Sequence, residues 1–181
     1  MAEPRKLTPA EEARLAQVRE QFKQKQAISN SLNSIKYRIG VYSGKGGVGK
    51  TTVTTNLALM LAKSGKKVAI LDCDIDCPNV TRVLKISNRP EADNEGKMIP
   101  PEKYGVSVMS MGFFQENEDE AIVWRGPMIH NAINQFISKT NWGDIDYLIC
   151  DLPPGTSDAP LTVMQTLNLD GFIIVSTPQE L

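Results

Sequence analysis

The sequence predicts an α/β domain, a mostly parallel sheet flanked by helices and preceded by an N-terminal helical arm. Three observations carry this reading. From Tyr37 onward short apolar runs alternate with helical stretches, the run SGKGGVGKTT at Ser43–Thr52 sets four glycines between the first apolar run and the first of those helices, and Thr8-Pro9-Ala10-Glu11 has the form of a helix start ahead of both. Strands that alternate with helices pair in parallel, because a parallel neighbour is reached only through a crossover long enough to be a helix.

The arm comes first in the chain. Thr8 suits an N-cap, Pro9 the first helical position and Glu11 the reciprocal place in a capping box, so a helix runs from about Pro9 to Gln26. Its apolar residues (Ala13, Leu15, Ala16, Val18, Phe22) are sparse, which predicts a solvated arm, with Ile28–Ser34 as a linker. Residues 1–34 are thus read as arm and linker, and 35–181 as the main domain.

Within that domain the strands predicted are Tyr37–Tyr42, Lys67–Leu71, Val106–Met111, Tyr147–Cys150 and Gly171–Ser176. Helices are predicted over Thr51–Ser64, closed by Gly65 as a C-cap, over about Pro127–Ser138 and near Ala159–Thr166. The stretch Asn88–Tyr104 holds three prolines and little apolar content, and reads as a surface loop with room for a short hairpin. The chain stops at Leu181, a few residues after a strand, without the helix that would close such a sheet. An incomplete C-terminal end is the expectation.

Composition narrows the function classes. A net charge of −1 with 23% charged residues gives no cationic footprint, so neither nucleic acid nor an anionic membrane surface is an expected partner. No apolar run approaches the roughly 18 residues of a membrane span, and the N-terminus MAEPRKLTPAEEARL is polar rather than signal-like. Three cysteines, an odd number, do not make a disulfide framework, so a reducing, cytoplasmic location is expected.

The glycine run carries the chemistry. Gly44-x-x-x-x-Gly49-Lys50-Thr51 is a P-loop pattern, which makes the predicted fold that of a P-loop NTPase. Glycines let backbone N–H groups turn inward around phosphate oxygens, Lys50 reaches the outer phosphates, and the Thr51 hydroxyl binds Mg²⁺. The nucleotide cradle is accordingly Gly44, Lys45, Gly46, Gly47, Val48, Gly49, Lys50, Thr51 and Thr52, with ATP as the ligand. The following helix adds its N-terminal dipole.

Gly44-x-Gly46-x-x-Gly49, with Asp72 downstream at a strand end, also fits a dinucleotide-binding fingerprint. That alternative leaves Lys50-Thr51 unexplained, whereas the P-loop accounts for every special residue in the run.

Hydrolysis needs metal and water to be placed. Carboxylates at strand ends are the candidates, in Leu71-Asp72-Cys73-Asp74 and in Cys150-Asp151-Leu152-Pro153-Pro154-Gly155. Asp151, after a buried apolar run, suits the Walker B role, and Pro153-Pro154-Gly155 turns the chain back toward the phosphates. With Thr51, Asp74 and Asp151 form the candidate metal set.

The second lysine narrows the reading. Lys45-Gly46-Gly47-Val48-Gly49-Lys50-Thr51 resembles the deviant P-loop of the MinD/ParA/nitrogenase-iron-protein class of dimeric ATPases. Asp72-Cys73-Asp74-Ile75-Asp76-Cys77-Pro78-Asn79, Trp124-Arg125-Gly126-Pro127-Met128 and Asp151-Leu152-Pro153-Pro154-Gly155-Thr156-Ser157-Asp158 are together similar to the Mrp/ApbC family of iron–sulfur cluster carriers, over about Ile35 to Gln179. The resemblance implies a homodimer in which Lys45 reaches the partner's nucleotide, Asp74 acts as the switch I carboxylate that positions water, Asp151 lies near Mg²⁺, and Gly155–Asp158 belong to switch II. It also implies slow ATP hydrolysis coupled to carriage of an iron–sulfur cluster to apoprotein acceptors. The alternative, from a different functional class, is a MinD/ParA-like positioning ATPase acting as a nucleotide-dependent dimerisation switch.

Two departures from the family stand out. The Cys-x-x-Cys pair that carries the cluster in the family is absent from these residues, and Cys77 and Asp76 stand where glycine and an aromatic are usual. Cys73 and Cys77 flank the switch with metal-capable spacing, but Cys73 and Cys150 read as buried thiols. His130 reads as a surface or packing residue, and Trp124-Arg125-Gly126-Pro127 as a loop closing on a helix, with Arg125 available to a partner subunit.

Overall fold

A computed structural model describes residues 8–113, 126–156 and 158–178. Trp124, Arg125, Ser157 and Gln179 lie outside the described residues.

Helix α1 spans Pro9–Asn33, and its start is the capping box expected: the Glu11 N–H donates to Thr8 Oγ1 at 3.4 Å, and the Thr8 N–H donates to Glu11 Oε2 at 2.8 Å. Its end is not as expected. The segment read as a linker is helical to Asn33, because Ile28 and Leu32, four residues apart, share a face that packs into the core. Tertiary burial outweighs the weak helix propensity of the intervening Ser and Asn residues. The first half of the helix is the solvated arm, with Val18 and Phe22 exposed.

Strand β1 (Ile35–Tyr42) leads through the glycine run into α2 (Lys50–Lys63), then β2 (Val68–Asp72) and a short α3 (Val80–Leu84) that the sequence did not announce. The Asn88–Tyr104 stretch holds a hairpin, β3 (Glu91–Ala92) with β4 (Met98–Ile99), whose turn is closed by Asp93 Oδ1 accepting the N–H groups of Glu95 and Lys97 at 2.9 Å each. A further strand, β5 (Glu102–Lys103), turns back through Tyr104 and Gly105, both at positive φ, into β6 (Val106–Ser110). Two successive left-handed residues are what a two-residue hairpin requires. A 3₁₀ turn at Met111–Phe113 follows, and the chain is described again from α4 (Gly126–Lys139), through β7 (Ile145–Asp151) and α5 (Asp158–Leu167), to β8 (Gly171–Ile174).

The sheet order is β5-β6-β2-β7-β1-β8, parallel throughout except for the edge pair β5–β6. Side chains alternate across it, as strand geometry demands. Val41, Val68, Ile70, Val106, Val108 and Ile149 meet α2 and α3 on one face. On the other, Ala69, Leu71, Cys73, Met109, Leu148 and Cys150 meet the Ile129, Ile133, Phe136 and Ile137 stripe of α4, with Val163 and Leu167 of α5. Gly40, in the middle of β1, leaves room for three side-chain ends: a Cβ there would stand 2.7 Å from Leu169 Cδ1, 3.0 Å from Leu152 Cδ1 and 3.1 Å from Phe172 Cδ1. The three-layer sandwich brings the C-terminal ends of β1, β2, β6 and β7 together, where a parallel sheet places its ligand crevice.

Candidate functional site

The site forms where β1 gives way to α2. Gly47 and Gly49 take φ values of +76° and +93°, a region that L side chains rarely adopt. No atom lies within 4 Å of where a Cβ would stand at Gly44, Gly46, Gly47 or Gly49, so the loop borders open space rather than packed protein. Behind it the carbonyl of Ser43 accepts the Gly155 N–H at 3.0 Å, and the Tyr42 hydroxyl donates to the Gly155 carbonyl at 2.8 Å. The loop and the Pro153-Pro154-Gly155 turn are therefore tied to each other.

Lys50, the first residue of α2, is buried, and two carboxylates neutralise it: Asp151 Oδ1 at 2.9 Å and Asp74 Oδ2 at 3.6 Å. The Thr51 hydroxyl donates to Asp151 Oδ2 at 2.7 Å. Lys50, Thr51, Asp74 and Asp151, predicted from three separate stretches of sequence, thus meet in one cluster. Lys45 stands apart from it. The loop leaves Lys45 half-buried, without an ion pair among the described residues.

The electrostatics follow from burial. Asp74 is raised above the usual carboxylate range by desolvation, against which the Lys50 charge pulls downward. Asp72 is pushed up to about 7, first by burial and then by the charge of Asp151. Burial also raises the thiols of Cys73 and Cys150.

Sequence reasoning did not single out Thr54 or Ser110. Thr54 Oγ1 lies 2.8 Å from Asp151 Oδ1, one helical turn beyond Lys50, and the only hint was that spacing. Ser110 donates to Asp72 Oδ2 at 2.9 Å, a contact between residues 38 apart that needs the strand register to be known. Asp72 is itself fully buried, with its oxygens taken by Ser110 and by the N–H groups of Asp74 and Val80. It faces the protein interior and offers nothing to a ribose, which removes the support for the dinucleotide alternative.

The other candidates divide cleanly. Cys77 is exposed whereas Cys73 is buried, so the two do not converge, and among the described residues no group of three or more His, Cys, Asp or Glu side chains is arranged for a metal ion. A cation at this site would have to rely on the Thr51 hydroxyl, Asp151 and phosphate oxygens. His130 is exposed, its Nδ1 3.0 Å from Thr166 Oγ1 on α5, in keeping with a surface packing role. No described helix is long and apolar enough to cross a membrane.

The ParA family described as NUBPL iron-transfer P-loop NTPase matches residues 34–181. An iron–sulfur cluster carrier protein of Methanocaldococcus jannaschii is 46% identical over 155 residues, covering 84% of this chain and 53% of its own length. The iron–sulfur cluster transfer protein NUBPL of Dictyostelium discoideum is 44% identical over 160 residues, covering 87% of this chain and 49% of its own. A nucleotide-binding protein of Archaeoglobus fulgidus, solved in complex with ADP, superposes with a TM-score of 0.76 at 42% identity, covering 87% of this chain and 60% of that one. The chain spans about half the length of the curated relatives it matches. On its fold, its glycine loop and these likenesses, the chain belongs to the ParA-type family of NUBPL iron-transfer P-loop NTPases.

Proposed function

We propose that this chain binds ATP with Mg²⁺ and hydrolyses it slowly, as the nucleotide-responsive part of a homodimer that carries an iron–sulfur cluster to apoproteins. The observation that carries the reading is the buried Lys50, held between Asp74 and Asp151 beneath a glycine loop that borders open space. A lysine costly to bury alone is paired with two carboxylates at the point where phosphates of a nucleotide would enter.

The residues fit both groups. The N–H groups of residues 44–49 would wrap the phosphates, Lys50 would neutralise their outer oxygens, and the Thr51 hydroxyl with Asp151 would hold the cation. When bound, Mg²⁺ supplies charge neutralisation for phosphoryl transfer. Asp74, raised by burial, orients the attacking water, and its closeness to Lys50 keeps it beside the reacting phosphate. Lys45 supplies a charge to the partner's nucleotide, in keeping with its lack of an ion pair on its own chain.

The cluster is cargo. Two of the three cysteines are buried and the third is exposed beside the switch, so in this reading the cluster's ligands come from outside residues 1–181. The names of the relatives support carriage, and the fold supports the nucleotide switch.

Equilibrium binding of ATP with Mg²⁺, run beside NAD on the same preparation, tests the reading, together with phosphate release. Saturable ATP binding with measurable release is expected; tight NAD binding without ATP binding would sink it.

A further inference from the structure

The carboxylate of Asp72 has no part in the chemistry above, yet it is fully buried and fully partnered. Its three donors form a pattern. Oδ1 accepts the N–H of Asp74, and Oδ2 accepts the N–H of Val80, both at 3.2 Å. These are the backbone groups near the two ends of the loop that joins β2 to α3. Asn79, the N-cap of α3, makes no side-chain cap bond; its amide donates instead to the Cys77 carbonyl at 3.1 Å. One carboxylate therefore pins both ends of the loop and does the capping that Asn79 leaves undone.

Asp74 lies inside this loop. Its Oδ1 accepts the Cys77 N–H at 3.2 Å, and its Oδ2 faces Lys50. The direction of the Asp74 carboxylate is thus set by a backbone that Asp72 holds.

The third donor comes from a different segment. Ser110 ends β6, in register with Asp72 across the β2–β6 pair, and donates to Oδ2 at 2.9 Å. Its oxygen in turn accepts the Gly112 N–H at 3.1 Å, which directs the hydroxyl proton toward Asp72. Gly112 also packs on the loop directly. A Cβ added there would stand 3.3 Å from Ser110 Oγ and 3.4 Å from Cβ and Cγ of Pro78. The turn after β6 therefore touches the loop twice, once by hydrogen bonds through Ser110 and Asp72, once by contact with Pro78.

We propose that Ser110, acting through Asp72, is a positioning residue for Asp74, and that the Ser110–Gly112 turn sets the placement of the Asp74 carboxylate against Lys50. The consequence for turnover rests on the nucleotide reading above; the positioning itself does not. A displacement of the turn reaches the phosphate site through a continuous set of close contacts rather than through the sheet as a whole.

Amide hydrogen exchange resolved by mass spectrometry tests this on the parent chain, Ser110→Ala and Gly112→Ala. The first variant deletes a donor to a buried carboxylate; the second keeps every hydrogen-bonding group and adds one methyl group against Ser110 and Pro78. Exchange at residues 74–80 is expected to rise in both, by about tenfold in Ser110→Ala, the size of effect a lost hydrogen bond to a buried group gives, while β1 and β7 exchange as in the parent. ATP turnover falls in both variants, with the dissociation constant for ATP and Mg²⁺ unchanged. Parent-like exchange at 74–80 in both variants overturns the inference, as does a rise spread evenly over the whole chain. If Ser110→Ala does not fold, Gly112→Ala decides alone. Faster exchange at 74–80 in the variants of a parent chain that does not turn over ATP supports the positioning and defeats the nucleotide reading instead.

Discussion

Replacing Thr54 by Val tests whether the carboxylate beneath the glycine loop depends on its full set of donors. The side chains have nearly the same shape, so the change removes a hydroxyl without opening a cavity. Asp151 is fully buried, and its partners are Lys50 at 2.9 Å, Thr51 at 2.7 Å and Thr54 at 2.8 Å. A hydrogen bond to a buried charged group contributes about 1.5–3 kcal/mol net, so Thr54→Val should cost about 2 kcal/mol. For a chain of this size that corresponds to a fall in Tm of about 4–8 °C. The Thr54 hydroxyl has a second acceptor, the Lys50 carbonyl at 3.1 Å. If the proton went there, the bond would be neutral and the loss nearer 1 kcal/mol. A double-mutant cycle separates the two. Thermal unfolding of Thr54→Val, Asp151→Asn and the double variant should give a coupling of about 1 kcal/mol or more. A coupling near zero, or a Tm within about 1 °C of the parent for Thr54→Val, refutes the assignment of Thr54 to Asp151.

Lys45→Ala should leave ATP binding to the isolated chain intact while phosphate release falls to background; unchanged release would remove the proposed in-trans role. Asp72 carries a pH signature. Its folded-state pKa of about 7 lies above the ordinary 3.8, so its contribution to stability is complete below about 4 and is lost as pH rises through 7. In urea titrations from pH 5 to 8, the parent should therefore lose stability relative to Asp72→Asn; a constant difference would contradict the shift. Gly40→Ala forces a methyl group against Leu152, Leu169 and Phe172 and should lower stability by about 1–3 kcal/mol, read as a shifted urea midpoint.

The parts of the site legible in sequence are those whose chemistry is local. A P-loop writes its glycines, lysine and threonine in consecutive positions, and the two carboxylates stand at the ends of apolar runs that declare themselves as strands. That Asp74 and Asp151 both pair with Lys50 is visible only in the structure, because it depends on how the separate strand ends come together. Ser110 and Thr54 were not legible, because what matters about each is a partner 38 or 97 residues away. Asp72 was visible but misplaced by the dinucleotide alternative: alternation along β2 does not say which strand end turns inward until the register with β6 and β7 is fixed. The helical arm shows the same limit. Its start is encoded by four adjacent residues, whereas its end depends on Ile28 and Leu32 finding the core, and the intervening Ser and Asn residues argue the other way.

The pairing of Lys50 with Asp74 and Asp151 also bears on how affinity responds to solution conditions. A lysine already neutralised does not attract phosphate over long distances, so arrival of a nucleotide at such a site is an exchange of counter-ions rather than capture by a bare charge. The carboxylate that gives up Lys50 is then free for a divalent cation, and the nucleotide that takes Lys50 is better held once the cation has taken the carboxylate. In the proposed role each ligand thus tightens the other by the same factor, and affinity depends more on magnesium concentration than on ionic strength.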